Sequence, residues 1–274
     1  MSTFNKFNRL GPARFAKLMK RSGQTWIFHH IPKTAGSSLT SELRFCLPPY
    51  RNINFDEYGR GVDRNKGLMG AVDSFLEEHD EVGYRSCSGH LRPQHLERLR
   101  AGLPRAQVFT FLRDPIERFI SEYRYSRTSR YPAHKEFVDR YPDIDAYIDN
   151  DDSHNKLWNF IDPASQEATP KNIRAIFDRY AFIGLVEEFG PHFSYFAGLS
   201  GYPKAPSART NMTVNTAANT IADTAELRAR IAKANHKDVA LYAAVRGVLD
   251  PARKDMAAYC KAQHDYFTGV AKGT

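Results

Sequence analysis

Two short stretches of the chain concentrate residue types that bind and polarise oxyanions. The first, HIPKTAGSSL from His30 to Leu39, sets one lysine, one glycine and three hydroxyls between an apolar run and a segment whose leucines, Leu39, Leu43 and Leu47, recur every four residues. A turn of this kind between a buried strand and a helix N-terminus is a phosphate cradle. Gly36 lets the backbone approach an anion, exposed N–H groups and the helix dipole stabilise negative charge, and Thr34, Ser37 and Ser38 add hydroxyl donors. Lys33 adds a point charge that can reach a bridging oxygen. The same residues would also serve an ordinary helix-capping turn, with Ser37 or Ser38 at the cap. A Walker A loop is a poor match, because there the lysine follows the second glycine, whereas Lys33 precedes the only glycine.

The second stretch, FLRDPIERFISEYRY from Phe111 to Tyr125, puts Arg113 at a strand end and Ser121 two turns into the following helix. Arg113 offers a planar fork for a phosphate, and Ser121 a hydroxyl. Read alone, Arg113 could equally be an ion-pair partner and Ser121 a surface helix residue. Asp114 could be read as a metal-holding carboxylate, which keeps a nucleoside-triphosphate-dependent kinase as the alternative enzyme.

Together the two segments resemble the sulfotransferases that use 3′-phosphoadenosine 5′-phosphosulfate (PAPS), specifically the carbohydrate branch that includes the heparan sulfate uronyl 2-O-sulfotransferases. The resemblance runs from about Trp26 to Leu199 with the motifs in family order. It implies a P-loop-like α/β fold and transfer of a sulfuryl group to a hydroxyl of a carbohydrate or glycoconjugate, neutral or acidic. It also implies that Lys33, Thr34, Ala35, Gly36, Ser37 and Ser38 bind the 5′-phosphosulfate, that Arg113 and Ser121 bind the 3′-phosphate, and that no metal is needed. The family pattern commonly has Thr where this chain has Ser37, which keeps the hydroxyl. In-line sulfuryl transfer needs a base near neutrality for the acceptor hydroxyl, and histidine suits this. Of the ten histidines, His90 is the expected base, because SGHL resembles the family block that supplies it. His30, beside the cradle, is the rival, with a loop-orienting role as the alternative. Lys33 would act catalytically on the bridging oxygen as well as in binding.

These residues need a scaffold that brings two loops to one edge. Trp26-Ile27-Phe28, ending at His29-His30-Ile31, reads as a buried strand stopped by Pro32, with a helix from Ser37. Val108 to Leu112 reads as a second strand, and Asp114 with Pro115 marks the start of the helix carrying Ile116, Phe119, Ile120 and Tyr123. Tyr84 to Ser88 and Ala181 to Val186 are further strand candidates, the latter followed by a helix from Glu187 towards Leu199. Helical periodicity fills Asp143 to Phe177 and continues from Thr224 onward, while Gly198 to Asn219 reads as a long loop. The expectation is an α/β fold: a central parallel sheet flanked by helices, one domain over 25–274 with a helical C-terminal part. Residues 1–24 read as a basic arm, Phe4 to Arg21, that packs on the body, stays loosely ordered or touches a membrane surface; Gly11-Pro12 interrupts it.

Composition bounds this reading loosely. The 274 residues carry 39 Lys and Arg against 31 Asp and Glu, a net +8 that favours an anionic partner or merely a solvated surface. Cys46, Cys87 and Cys260 are widely spaced, with no CxxC pair to suggest a zinc site or disulfide framework, and no apolar run of membrane-spanning length occurs. A cytoplasmic enzyme is expected. A nucleic-acid-binding protein would also explain the charge, but no helix-turn-helix, finger or RNP pattern is present and the basic residues are dispersed. For the acceptor, Arg85, Arg92, Arg124, Arg127 and Arg130 could line a groove with Tyr84, Tyr123 and Tyr125 stacking on sugar faces, or form a solvated helical face.

Overall fold

The computed structural model describes residues 3–19, 24–55, 63–207 and 219–270. Five strands, β1 (Trp26–His29), β2 (Tyr50–Asn52), β3 (Ser86–Gly89), β4 (Gln107–Leu112) and β5 (Phe182–Leu185), pair in parallel in the order β2-β3-β1-β4-β5. Four of them are buried along their whole length, as a parallel sheet covered on both faces requires. The edge strand β2, half-buried to exposed, has no apolar run and was not foreseen. His29 pairs with Gly89 and Phe28 with Phe109, so the loops after β1, β3 and β4 open side by side at the carboxyl edge, where such sheets bind ligands.

The helices are α1 (Phe4–Leu10), α2 (Pro12–Met19), α3 (Gly36–Cys46), α4 (Arg64–Val82), α5 (Pro93–Gly102), α6 (Pro115–Ser126), α7 (His134–Arg140), α8 (Ile144–Ile148), α9 (Lys156–Ile161), α10 (Pro170–Arg179), α11 (Phe189–Leu199), α12 (Ala225–Ala234) and α13 (His236–Val270). A 3-10 turn at Val186–Glu188 delays the expected helix at Glu187, and α11 carries Gly198 and Leu199, so the long loop starts later than its composition suggested. Positions 208–218 of that loop lie outside the described residues.

Aromatic packing against the sheet dominates the core: Phe109 stacks on Phe196 with ring centroids 3.9 Å apart and on Phe28 at 5.3 Å. A second cluster, including Phe119, Tyr123, Tyr147 and Ile231, fixes α6 against α8 and α12. The described part of the basic arm packs on the body. Phe4, Phe7 and Phe15 are buried in the main core, the Phe4 amide donates to the Tyr180 carbonyl at 2.7 Å, and the Tyr195 hydroxyl donates to the Pro12 carbonyl at 2.8 Å. Most of its apolar side is therefore covered by protein, with Leu18 left exposed; Lys20 and Arg21 lie outside the described residues.

Candidate active site

The loop between β1 and α3 is held in an unusual backbone conformation. Lys33 and Ala35 both have positive φ, 68° and 60°, a left-handed geometry that costs a residue with a Cβ about 1–2 kcal/mol and clusters at functional sites. Between them the buried Thr34 hydroxyl donates to the Ile31 carbonyl at 2.9 Å, closing the turn. Ala35, not a serine, occupies the N-cap of α3, and no side chain caps the helix. The expected serine cap is thus corrected: the left-handed turn at Ala35 starts the helix at Gly36, leaving Ser37 exposed and Ser38 buried within its first turn. An uncapped helix start presents its first-turn amides towards an anion. Gly36 is required by contact as well, since a Cβ there would overlap the His30 imidazole.

The second loop meets the first through Lys33. Its ammonium lies 3.8 Å from the centroid of the Tyr125 ring on α6. Burial pulls the Lys33 pKa down to about 8, opposed by the Glu122 carboxylate and reinforced by Arg113 and Arg118. Arg113, half-buried at the end of β4, stands 4.0 Å from Glu117, and Ser121 is half-buried on α6. Asp114 is the helix cap: its Oδ1 accepts from the Ile116 and Glu117 amides at 3.0 and 3.1 Å. Among the described residues, no three His, Cys, Asp or Glu side chains gather into a group able to hold a metal.

At the end of β3, His90 Nδ1 lies 2.8 Å from the His30 carbonyl oxygen. A carbonyl only accepts, so Nδ1 carries the hydrogen and Nε2 of the neutral ring carries the lone pair. Burial lowers the His90 pKa below the ordinary histidine value, and the charges of Arg64 and Arg92 lower it further against the opposing effect of the His30 carbonyl. His90 is therefore neutral at pH 7. Its ring centroid lies 4.0 Å from that of His30, whose pKa burial also holds well down. His29 contrasts with both: it is fully buried, donates through Nε2 to the Leu91 carbonyl at 2.8 Å and accepts at Nδ1 from the Tyr180 hydroxyl at 2.7 Å, a satisfied core histidine.

Two cavities share His90, Arg64 and Leu68 as a common wall. The smaller, about 340 Å³, is lined by hydroxyls and amides from Ser37, Thr40, Ser41, Asn52 and Asn54, with Arg44. The larger, about 870 Å³, takes Arg92, Arg118, Glu122, Lys156 and Phe160. On its wall Glu122 accepts from the Arg118 guanidinium and the Lys156 ammonium, both at 2.9 Å, and these two cations hold its carboxyl below the usual range against the cost of burial. Lys33, Arg113 and Ser121 line neither cavity, whereas Ser37 and His90 do.

The tyrosines and arginines expected around the acceptor mostly serve elsewhere. The Tyr84 hydroxyl donates to Glu78, Tyr123 belongs to the second core cluster, and Arg127 donates to the Tyr141 and Pro142 carbonyls. Of the residues expected there, Arg92 alone lines either cavity. Sequence reasoning missed Arg64, Asn52, Asn54 and Lys156, which stand in no motif, and passed over Arg118 and Glu122 inside the second one.

The model of a family described as "Sulfotransferase family" matches residues 22–243. No curated protein matches the chain. Among solved structures, a sulfotransferase from Alicyclobacillus acidocaldarius is similar at 17% identity with a TM-score of 0.44, covering 81% of this chain and 96% of that one.

Proposed function

The chain belongs to the sulfotransferase family, and from that premise we propose that it transfers a sulfuryl group from PAPS to a hydroxyl of a carbohydrate or glycoconjugate, with His90 as general base. The observation that carries the reading is the hydrogen bond from His90 Nδ1 to the His30 carbonyl. It leaves Nε2 able to accept a proton on the wall shared by both cavities, one strand away from the oxyanion loop.

The residues present suit the donor substrate. The uncapped start of α3, with Lys33, Thr34, Ala35, Gly36, Ser37 and Ser38, would hold the 5′-phosphosulfate, and Arg113 with Ser121 on the adjacent loop would hold the 3′-phosphate. In the transfer the acceptor oxygen bonds to sulfur as its proton passes to His90 Nε2. The bond from sulfur to the bridging oxygen breaks on the opposite side, and charge grows on that oxygen within reach of Lys33. Adenosine 3′,5′-bisphosphate leaves. The acceptor would occupy the cavities beside His90, whose hydroxyl, amide and guanidinium lining suits a polyhydroxylated ligand, neutral or acidic.

The kinase alternative is not favoured, given the family and the use of Asp114 as a helix cap. No described helix is long and apolar enough to cross a membrane. The three free cysteines, Cys46, Cys87 and Cys260, support a reducing, cytoplasmic setting.

Two measurements test the proposal. Adenosine 3′,5′-bisphosphate should bind without added metal and more tightly than ATP with magnesium; the opposite order defeats the donor assignment. With radiolabelled PAPS and a panel of glycans and glycolipids, His90→Ala should lose about 10²–10⁴-fold in turnover while keeping bisphosphate affinity, and parental turnover would remove His90 from its role.

A further inference from the structure

We infer that Tyr125 is a positioning residue for Lys33, its ring face forming the seat that holds the lysine ammonium between the two oxyanion loops. The inference rests on the reading that Lys33 serves the donor, and it goes beyond the motif assignment, in which Tyr125 has no part.

Three features of the geometry lead there. First, the positive φ at Lys33 is fixed by the turn that Thr34 closes on Ile31, and the Lys33 side chain reaches α6. Second, the ammonium ends 3.8 Å from the Tyr125 centroid, well inside the distance at which a ring quadrupole attracts a cation. Third, Glu122 lies one turn before Tyr125 on the same helix and is, among the described residues, the carboxylate acting on Lys33, but its oxygens already accept from Arg118 and Lys156. With the carboxylate engaged by two other cations, the aromatic face is the contact that remains, among the described residues, for the Lys33 ammonium.

The seat suits the task better than a carboxylate would. A salt bridge fixes an ammonium by direct hydrogen bonds that must break before it can serve a phosphosulfate oxygen. A ring face attracts the charge without occupying its N–H groups, so the ammonium stays held while its donors remain available. The Tyr125 hydroxyl, 3.4 Å from the Arg130 carbonyl, contributes only at the margin, so the ring and not the hydroxyl should matter. The charged groups facing Lys33 are Glu122, Arg118 and Arg113; removing the ring leaves two like charges against one engaged carboxylate.

The test compares Tyr125→Phe with Tyr125→Leu. In the intact protein with ¹³C-labelled lysine, the ε-methylene signal of Lys33, identified by its loss in Lys33→Arg, should show an upfield ring-current shift that persists in Tyr125→Phe and vanishes in Tyr125→Leu. This readout needs neither donor nor acceptor, so it stands apart from the proposed activity. In the transfer assay Tyr125→Leu should lower kcat by about 2- to 25-fold, the fold-change equivalent of a cation–π contact, with Tyr125→Phe restoring most of it. The alkaline limb of the pH profile should move to lower pH in the leucine variant, because the ring stabilises the charged lysine. An unshifted Lys33 signal in the parent, or equal losses in both variants, overturns the inference. A shifted signal that follows the ring in a protein without sulfuryl transfer would keep the seat and defeat the functional reading instead.

Discussion

Replacing Gly36 with alanine should destabilise the protein through one identifiable neighbour. Gly36 opens α3 without a positive φ, so the backbone tolerates alanine there, and helix propensity alone would favour the change by up to about 1 kcal/mol. The added Cβ, however, overlaps Nε2, Cδ2 and Cε1 of His30. That ring cannot step aside freely, because it is stacked on Phe28 at 5.4 Å and lies 4.0 Å from His90. Overpacking of this kind costs about 1–3 kcal/mol, leaving a net loss of up to about 2 kcal/mol once the full propensity gain is counted. Chemical denaturation of the parent, Gly36→Ala, His30→Ala and the double variant forms a cycle that isolates the contact. With His30 truncated, the glycine substitution should become neutral or slightly stabilising, a coupling of about 1–3 kcal/mol. Equal cost in both backgrounds would show that Gly36 is required for some other reason, and the steric reasoning would fail.

The transfer rate should follow a bell in pH: it rises as His90 loses its proton below the ordinary histidine range and falls as Lys33 is deprotonated through about 8, which an initial-rate profile at saturating donor would check. Asp114→Ala should cost about 1 kcal/mol of stability by uncapping α6, read as a lowered unfolding midpoint, with Asp114→Asn or Asp114→Ser recovering most of it. Arg118→Leu should cost about 3–5 kcal/mol, because the buried guanidinium pairs with Glu122 at 2.9 Å and stands 4.0 Å from Asp238, whose carboxylate accepts from the Leu157 and Trp158 amides at the start of α9; denaturant titration at neutral pH measures it.

What could be read beforehand followed from local signals. Gln107–Leu112 is mostly apolar and buried throughout, and Asp114-Pro115 specifies a helix start through chemistry confined to four consecutive residues. Tyr50–Asn52 offered no such signal, because it carries no apolar run: the edge strand is held by the β3 backbone and by polar contacts of Tyr50 and Asn52 with Ser88, partners that only the fold brings together. Helix α4 buries only Leu68, Val72 and Phe75 in 19 residues, too sparse a stripe to declare itself. The cavity lining drawn from these two regions, Asn52, Asn54 and Arg64, was hidden for the same reason. Within the loop between β1 and α3 the residue types were legible but the cap was not, since the left-handed turn at Ala35 arises from closure of the whole loop and not from alanine's own preference. The protonation form of His90 depends on a partner 60 positions away, a distance that only the pairing of β1 with β3 removes.

That partner is a peptide oxygen, and this has a consequence for how the site can vary. Whatever amino acid stands at position 30, the chain still presents a carbonyl there as long as β1 and β3 remain in register, so the direction in which His90 offers its lone pair is inherited from the sheet. Evolution or design could therefore exchange the ring at position 30 to reshape the cavity without re-solving the orientation of the His90 ring.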